Sequence, residues 1–306
     1  MPERHSAINY RRGPKMESTE TIFGKHSTFT ANQDNMIVTG ATAKYTEGFT
    51  LTLNALQDGS SAMTIANVLG MVNPIQISVG GVIQITTRAV DLYALDKLVY
   101  GINPLTVIGA GDNQETMMSG LWLPAWFPPV NETTTASLTY NAVTNADNTE
   151  VSLTALYLNG IPRRETLHYT EFSKPTSGID DTSLNNWSQD INLVGNLTGV
   201  LFFTETPTTA ATLMERGTIQ QIAIDVDGTE RENWEFHEIP AVPKIFAGQA
   251  YDTLQASPGT SAILDNYNYL PISREPVPKG ARVRIRAMAG ITAETIRTLP
   301  IQQIPY

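Results

Sequence analysis

Period-two alternation of apolar and polar residues, interrupted at intervals by turn pairs, restricts this chain to β-rich folds. It is clearest over Glu150–Gly160, where Val151, Leu153 and Ala155 fall on one face and Ser152 and Thr154 on the other. That is the pattern of a half-buried β-strand. The second half of the stretch is apolar on both faces, so the strand runs into a covered region. Asn159-Gly160 is a turn pair, Pro162 has no N–H to give a ladder, and the basic pair Arg163-Arg164 follows. The stretch reads as the last strand of one β-unit and the start of a crossover to a second. It lies at the midpoint of 306 residues, so two β-modules of similar size are expected.

The first half repeats this grammar. Thr50–Ala55 alternates and meets a turn at Asp58-Gly59. Ile75–Val79 and Ile83–Thr86 flank Gly80-Gly81, a strong hairpin signal. Ala62–Val72 fits either a short helix or a buried strand. Over Asp91–Tyr100 the period changes: Leu92, Leu95, Leu98 and Val99 are spaced as on a helix, with Asp91 to cap it and Gly101 to stop it. Leu121–Pro129 carries two of the four tryptophans and three prolines, and reads as an extended aromatic loop rather than a central strand. Ser137–Val143 alternates again.

The second half has the same order of parts. Val200–Phe203 reads as a buried strand, and Pro207–Glu215 as a short helix with Thr206 as cap and Gly217 as stop. Ile222, Ile224 and Val226 alternate up to Asp227-Gly228, a turn, and Trp234, Phe236 and His237 begin the return. Pro240–Pro278 is rich in turn formers. Arg282–Met288 is the cleanest alternation in the chain.

Composition excludes several classes. A chain of this length buries roughly 75% of its unfolded surface without staples. With no cysteine, neither a disulfide framework nor a cysteine-ligated metal is available. A net charge of −10 argues against broad nucleic-acid binding, which relies on basic surface, and against general adhesion to anionic lipid; no specific nucleic-acid recognition is expected. No apolar run reaches the ~20 residues of a membrane helix. Met1–His5 leads into no apolar core, so no secretory signal is expected and the protein is expected to be made in, and stay in, the cytoplasm of the producing cell until lysis or assembly. The Asn-x-Ser/Thr triplets at Asn131, Asn186 and Asn196 are then chance. The four histidines are far apart, and there is no nucleophile elbow, P-loop or dinucleotide fingerprint, so no catalytic centre and no cofactor are expected.

Five groups of residues remain as candidates. Asp225, Asp227 and Glu230 surround Gly228 and form either a hairpin turn or a loose structural calcium loop. Glu230, Glu232, Glu235 and Glu238 cluster around Trp234, as an acidic face or as the carboxylates of a glycosidase. Arg282, Arg284 and Arg286 share one strand face, which water or an acidic partner on another copy must cover. Trp122, Trp126 and Phe127 either plug one end of a barrel or anchor a subunit contact. Arg4, Arg11, Arg12 and Lys15 belong either to a disordered tail or to an interior arm under neighbouring copies.

Two consecutive β-units, each with a short helix and long loops, behind a basic N-terminal segment and without cysteines, resemble the double jelly-roll major capsid proteins of the adenovirus-hexon-like lineage, as in small internal-membrane icosahedral bacteriophages. The resemblance is architectural, covers residues 40 to 290 or so, and carries over no functional residue. It implies an all-β fold of two consecutive jelly-roll barrels with short helices in loops. The expected division is an N-terminal arm 1–40, a first barrel 41–162, a second barrel 163–290 and a C-terminal tail 291–306. It further implies a structural protein of the virion, forming homotrimeric pseudo-hexagonal capsomers of an icosahedral shell. The implied partners are neighbouring capsomers, minor capsid proteins and an internal membrane reached through the arm and the tail Ile291–Tyr306. The competing readings are a viral spike or receptor-binding protein, and a β-sandwich carbohydrate-binding protein or glycosidase.

Overall fold

The computed structural model describes residues 16–27, 33–39, 44–59, 63–109, 111–129, 132–143, 145–158, 160, 161, 163–177, 184, 186–205, 218–236, 238, 239, 261–264, 266–272, 275–291 and 293–306. Arg4, Arg11, Arg12, Lys15, His237 and the helix expected over Pro207–Glu215 lie outside the described residues. Eighteen strands form three sheets among them.

The first nine strands are β1 (Met16–Ser27), β2 (Gln33–Thr39), β3 (Tyr45–Gln57), β4 (Val72–Val79), β5 (Val82–Thr87), β6 (Leu105–Val107), β7 (Glu115–Phe127), β8 (Thr134–Tyr140) and β9 (Ala146–Leu158). One sheet has the order β1-β9-β3-β7-β6, and β2-β8-β4-β5 lies opposite it. The chain shuttles between the two sheets, which is jelly-roll winding. Leu51, Leu53, Ile75, Ile77, Leu138 and Leu153 meet between the sheets, fully buried. Each such side chain contributes about 1.5–3 kcal/mol by leaving water.

The second nine are β10 (Glu165–Thr170), β11 (Phe172–Pro175), β12 (Trp187–Ile191), β13 (Asn196–Thr204), β14 (Ile219–Val226), β15 (Thr229–Glu235), β16 (Tyr267–Pro271), β17 (Val283–Ala289) and β18 (Thr295–Pro305). They run β16-β13-β18-β10, with β11 continuing β10 along β18, opposite β12-β17-β14-β15. The strand order of the first barrel is thus repeated, around a core that includes Trp187, Phe202, Ile222, Ile224 and Ile285.

The repetition extends to irregularities. In each barrel a hairpin turns through two residues of positive φ, Gly80-Gly81 in one and Asp227-Gly228 in the other. The returning strand carries one extra residue at the third position after the second of these, Gln84 in β5 and Arg231 in β15. Strands β3 and β13 each bulge, at Glu47 and Thr198, and each bulge precedes a glycine, Gly48 and Gly199. A Cβ on Gly48 would lie 2.6 Å from the ring of Trp122, and one on Gly199 would lie 2.6 Å from the ring of Tyr269. The aromatic of the neighbouring strand needs that space in both barrels.

The structure departs from three expectations. Strands β1 and β2 lie inside the stretch assigned to an arm over 1–40, paired with β9 and β8. Their sequences hide them, because β1 has one compact apolar pair, Ile22-Phe23, among polar residues. The stretch assigned to a tail over 291–306 is β18, between β13 and β10/β11. Its Pro300 falls opposite the break between β10 and β11, where no N–H is required. The aromatic stretch Leu121–Phe127 is the second half of β7 rather than a loop. Short β6 pairs only with Met117–Ser119, so Pro124 sits on a free edge that tolerates it.

The ambiguous stretch from Ala62 is helix and then strand: α1 (Ile65–Leu69), capped reciprocally by Thr64 and Asn67, precedes β4. Helix α2 (Ala89–Leu95) continues as one π-helical turn over Asp96–Tyr100, and Gly101 ends it at φ 65°. The helix starts two residues before Asp91, which is buried instead of capping.

Alanine at Gly48 or Gly199 should cost about 1–3 kcal/mol by overpacking. Both variants should unfold at lower denaturant with an unchanged slope of the transition.

Candidate functional site

Strands β5 and β10 pair in parallel, Ile85 opposite Tyr169 and Thr86 opposite Thr170, so one sheet runs from the first barrel into the second. Helix α2 and its π turn lie over the outward face of β16-β13-β18. This explains why Val200–Phe203 is apolar throughout: Val200 and Phe202 point into the second core, while Leu201 and Phe203 pack toward the first. Leu299, Ile301, Tyr267 and Tyr269 complete that seam.

A polar cluster sits within the seam. Arg297 of β18 donates to both carboxylate oxygens of Asp91 in α2, at 3.1 Å each. Tyr267 donates its hydroxyl to Asp91 at 2.6 Å and accepts from Arg297 at 2.9 Å. Glu171 lies 3.4 Å from Arg297 and also holds the Arg88 guanidinium. The Arg297 guanidinium stacks over Phe203 at 4.0 Å. Asp91 and Arg297 are 2% and 6% exposed, so neither charge has water to fall back on. Burial raises the Asp91 carboxyl above its ordinary range, against the opposing pull of Arg297 and the Tyr267 hydroxyl. The two carboxylates and two guanidinium groups balance.

Side chains also finish the free edge of β7. The Trp122 backbone N–H donates to Asp96 Oδ2 at 2.9 Å. Tyr169 donates its hydroxyl to the Pro124 carbonyl at 3.1 Å, and Thr166 reaches the Trp126 carbonyl at 3.4 Å. Strand β10 of the second barrel thereby seals an edge of the first. Asp96 is fully buried with its other oxygen unpartnered among the described residues, and burial pushes its carboxyl up to about 7.

The three aromatic candidates part company. Phe127 is interior, edge-on to Phe49 with ring centres 6.4 Å apart, so it is a core residue and not a subunit contact. Trp126, at φ 56°, lies beneath the Arg163 guanidinium at 3.9 Å. Trp122 is half-buried on the outer face of the first barrel, over Gly48.

The arginine stripe finds its acids inside the chain. Arg284 pairs with Asp190 of β12 at 2.7 Å. Arg286 is bidentate to Asp225 of β14, at 2.6 and 2.7 Å, and reaches Glu230 at 2.8 Å. Arg282 is exposed, and its backbone N–H donates to Asp227 at 2.9 Å. The carboxylates of β12 and β14 flank β17 and offset the repulsion along it. The same contacts correct the calcium-loop reading: a guanidinium already stands between Asp225 and Glu230, and Asp227 serves the turn. Among the described residues no three His, Asp or Glu side chains gather to hold a metal. A groove of about 690 Å³ runs beside this face, lined by Asp190, Asp227, Arg282 and Arg284 among others. Glu232 is buried and accepts the Trp234 indole N–H at 3.0 Å, whereas Glu235 is exposed, so strand alternation keeps those two carboxylates from converging.

No family model and no curated protein sequence matches this chain. Solved structures do. The STIV MCP superposes with a TM-score of 0.64 at 11% identity, over 94% of this chain and 96% of that one. The PBCV-1 virus capsid gives 0.61 at 10%, over 98% and 96%. The major capsid protein of bacteriophage PM2 gives 0.54 at 12%, over 94% and 97%. The fold is the double jelly roll of viral major capsid proteins. The match spans both barrels of that double jelly roll, and at such identities it is one of fold.

No motif marks the seam of the double jelly roll in the sequence. Asp91 and Arg297 lie 206 residues apart, and neither belongs to a motif. The one available signal was the doubly apolar run Val200–Phe203, which marks a strand covered on both faces.

Arg297→Met should destabilise the protein by about 3–5 kcal/mol, because it strands a buried carboxylate, and adding Asp91→Leu should recover much of that loss. Arg284→Met, at an exposed pair, should leave thermal unfolding unchanged. Asp96 sets a pH dependence. Its folded value is raised, so its contribution is fully present below the ordinary carboxylate range and is lost as pH rises through about 7. Asp96→Asn should therefore leave the melting temperature unchanged near pH 4. It should raise stability at pH 8 by an amount on the order of 1–3 kcal/mol.

Proposed function

We propose that this chain is a structural virion protein, a major capsid protein whose copies assemble in threes into pseudo-hexagonal capsomers of an icosahedral shell. The observation that carries this reading is the pair of jelly rolls of matching strand order, β6 apart, fixed side by side by a buried seam and superposing on capsid proteins over nearly the whole chain. A rigid pair of like barrels gives each chain two near-equivalent flanks. Three copies then present six, and rotational closure yields a ring rather than a filament. The stripe Arg282–Arg286 is left with its charge largely met within the chain, so assembly falls to other faces. Its work is mechanical, with no turnover, and its place is the virion. Contacts beneath the shell are assigned, as part of this proposal, to the basic residues Arg4, Arg11, Arg12 and Lys15.

Light-scattering mass and electron microscopy of purified protein test the reading. The expected result is a particle of three chain masses with a six-lobed outline, which associates further as concentration rises. A monomer that persists at high concentration, or measurable hydrolysis of glycans, would overturn it.

A further inference from the structure

The two barrels share strand order and the positions of their bulges, and one consequence reaches beyond the single chain. The shared hairpin bulge aligns Gln84 with Arg231, and so Ile85 with Glu232 and Thr86 with Asn233. The shared bulge and glycine of β3 and β13 align Gly48 with Gly199, which places Leu156 of β9 with Ile301 of β18. Following these registers outward aligns β1 with β10 and β11. Thr19 matches Tyr169 opposite Leu156 and Ile301, and Lys25 matches Lys174 opposite Val151 and Ile296. Thr170 then corresponds to Glu20.

Within the chain, the edge of β5 is joined to the edge of β10 by Ile85–Tyr169 and Thr86–Thr170. The equivalent edges, those of β15 and β1, are the terminal strands of their sheets and pair on one side only among the described residues. The joined edge in the chain is accompanied by a covered sheet face, Leu201, Phe203, Tyr269, Leu299 and Ile301. The equivalent face of the first barrel presents Thr50, Thr52, Trp122, Thr154 and Leu156, all partly exposed and none charged. An uncharged face beside an open strand edge, on a protein of net charge −10, is suited to a partner rather than to water.

We propose that the seam within one chain is repeated between chains: the β15 edge of one copy adds in parallel to the β1 edge of the next. Thr19 then stands opposite Glu232 and Glu20 opposite Asn233, and the uncharged face around Trp122 turns toward the neighbour's second barrel. The contact is head-to-tail, and it rests on the three-copy reading given above. Its strength comes from main-chain hydrogen bonds. Both strands are net acidic in sequence, so association tightens as salt screens their carboxylates.

The absence of native cysteine makes the test direct. Glu20→Cys and Asn233→Cys proteins are prepared separately, mixed, allowed to assemble and oxidised, then run on a denaturing gel. Facing strand residues are within the ~4.4–6.8 Å Cα separation a disulfide needs. A covalent dimer should form only when both variants are present, with yield rising from low to high salt. A chain carrying both substitutions should give linked species that stop at three. Ser188→Cys, on the opposite edge of the β15 sheet, should not link to Glu20→Cys. If the mixture assembles to three chain masses without a Glu20–Asn233 link, or if Ser188→Cys links instead, the strand pairing is overturned while the three-copy reading stands. A mixture that stays monomeric overturns both.

Discussion

A charge without water must have a counter-charge, and in this molecule that requirement is met across the line where two barrels touch. Asp91 belongs to the first barrel and Arg297 to the second, and each is buried by the contact that pairs them. Separating the barrels would expose both to water but would also uncover Leu201, Leu299, Ile301 and the α2 face. The apolar surface supplies the attraction. The ion pair, tied to Tyr267 and Glu171, admits one relative placement, because guanidinium and carboxylate geometry is far more selective than apolar contact.

The same economy governs the backbone. Jelly rolls leave strand edges, and each edge inside the seam is finished by something specific. The β7 edge takes Asp96, Tyr169 and Thr166 in place of a neighbouring strand. Pro124 and Pro300 occupy the ladder positions from which no hydrogen bond is asked. Asp96 is the costly part of this arrangement, a carboxylate held in a dry place by a single backbone N–H among the described residues.

Much of the fold was legible in the sequence, since strands with one buried face announce themselves. Glu150–Leu158, the hairpins at Gly80-Gly81 and Asp227-Gly228, and Arg282–Met288 alternate because water lies on one side and a core on the other. The strands that escaped notice depart from that condition. β1 carries too few apolar residues for a pattern. β18 and the end of β7 are covered on both faces and contain proline, so they look like loops or tails until their neighbours are known. The candidate sites obey the same limit. Arg284, Arg286, Asp225 and Glu230 were visible as charges, but strand register decided that they satisfy one another. The Asp91–Arg297 pair depends on the path of more than two hundred intervening residues, which no local signal records.

The position of β18 also orders events in time. All nine strands of the first barrel precede residue 159, so that barrel can close while the ribosome is still making the second. During that interval the apolar side of α2 and the carboxylate of Asp91 have no cover. Arg297 lies on β18, the last of the described strands and an interior strand of its sheet. The second core and the inter-barrel joint therefore both wait on β18.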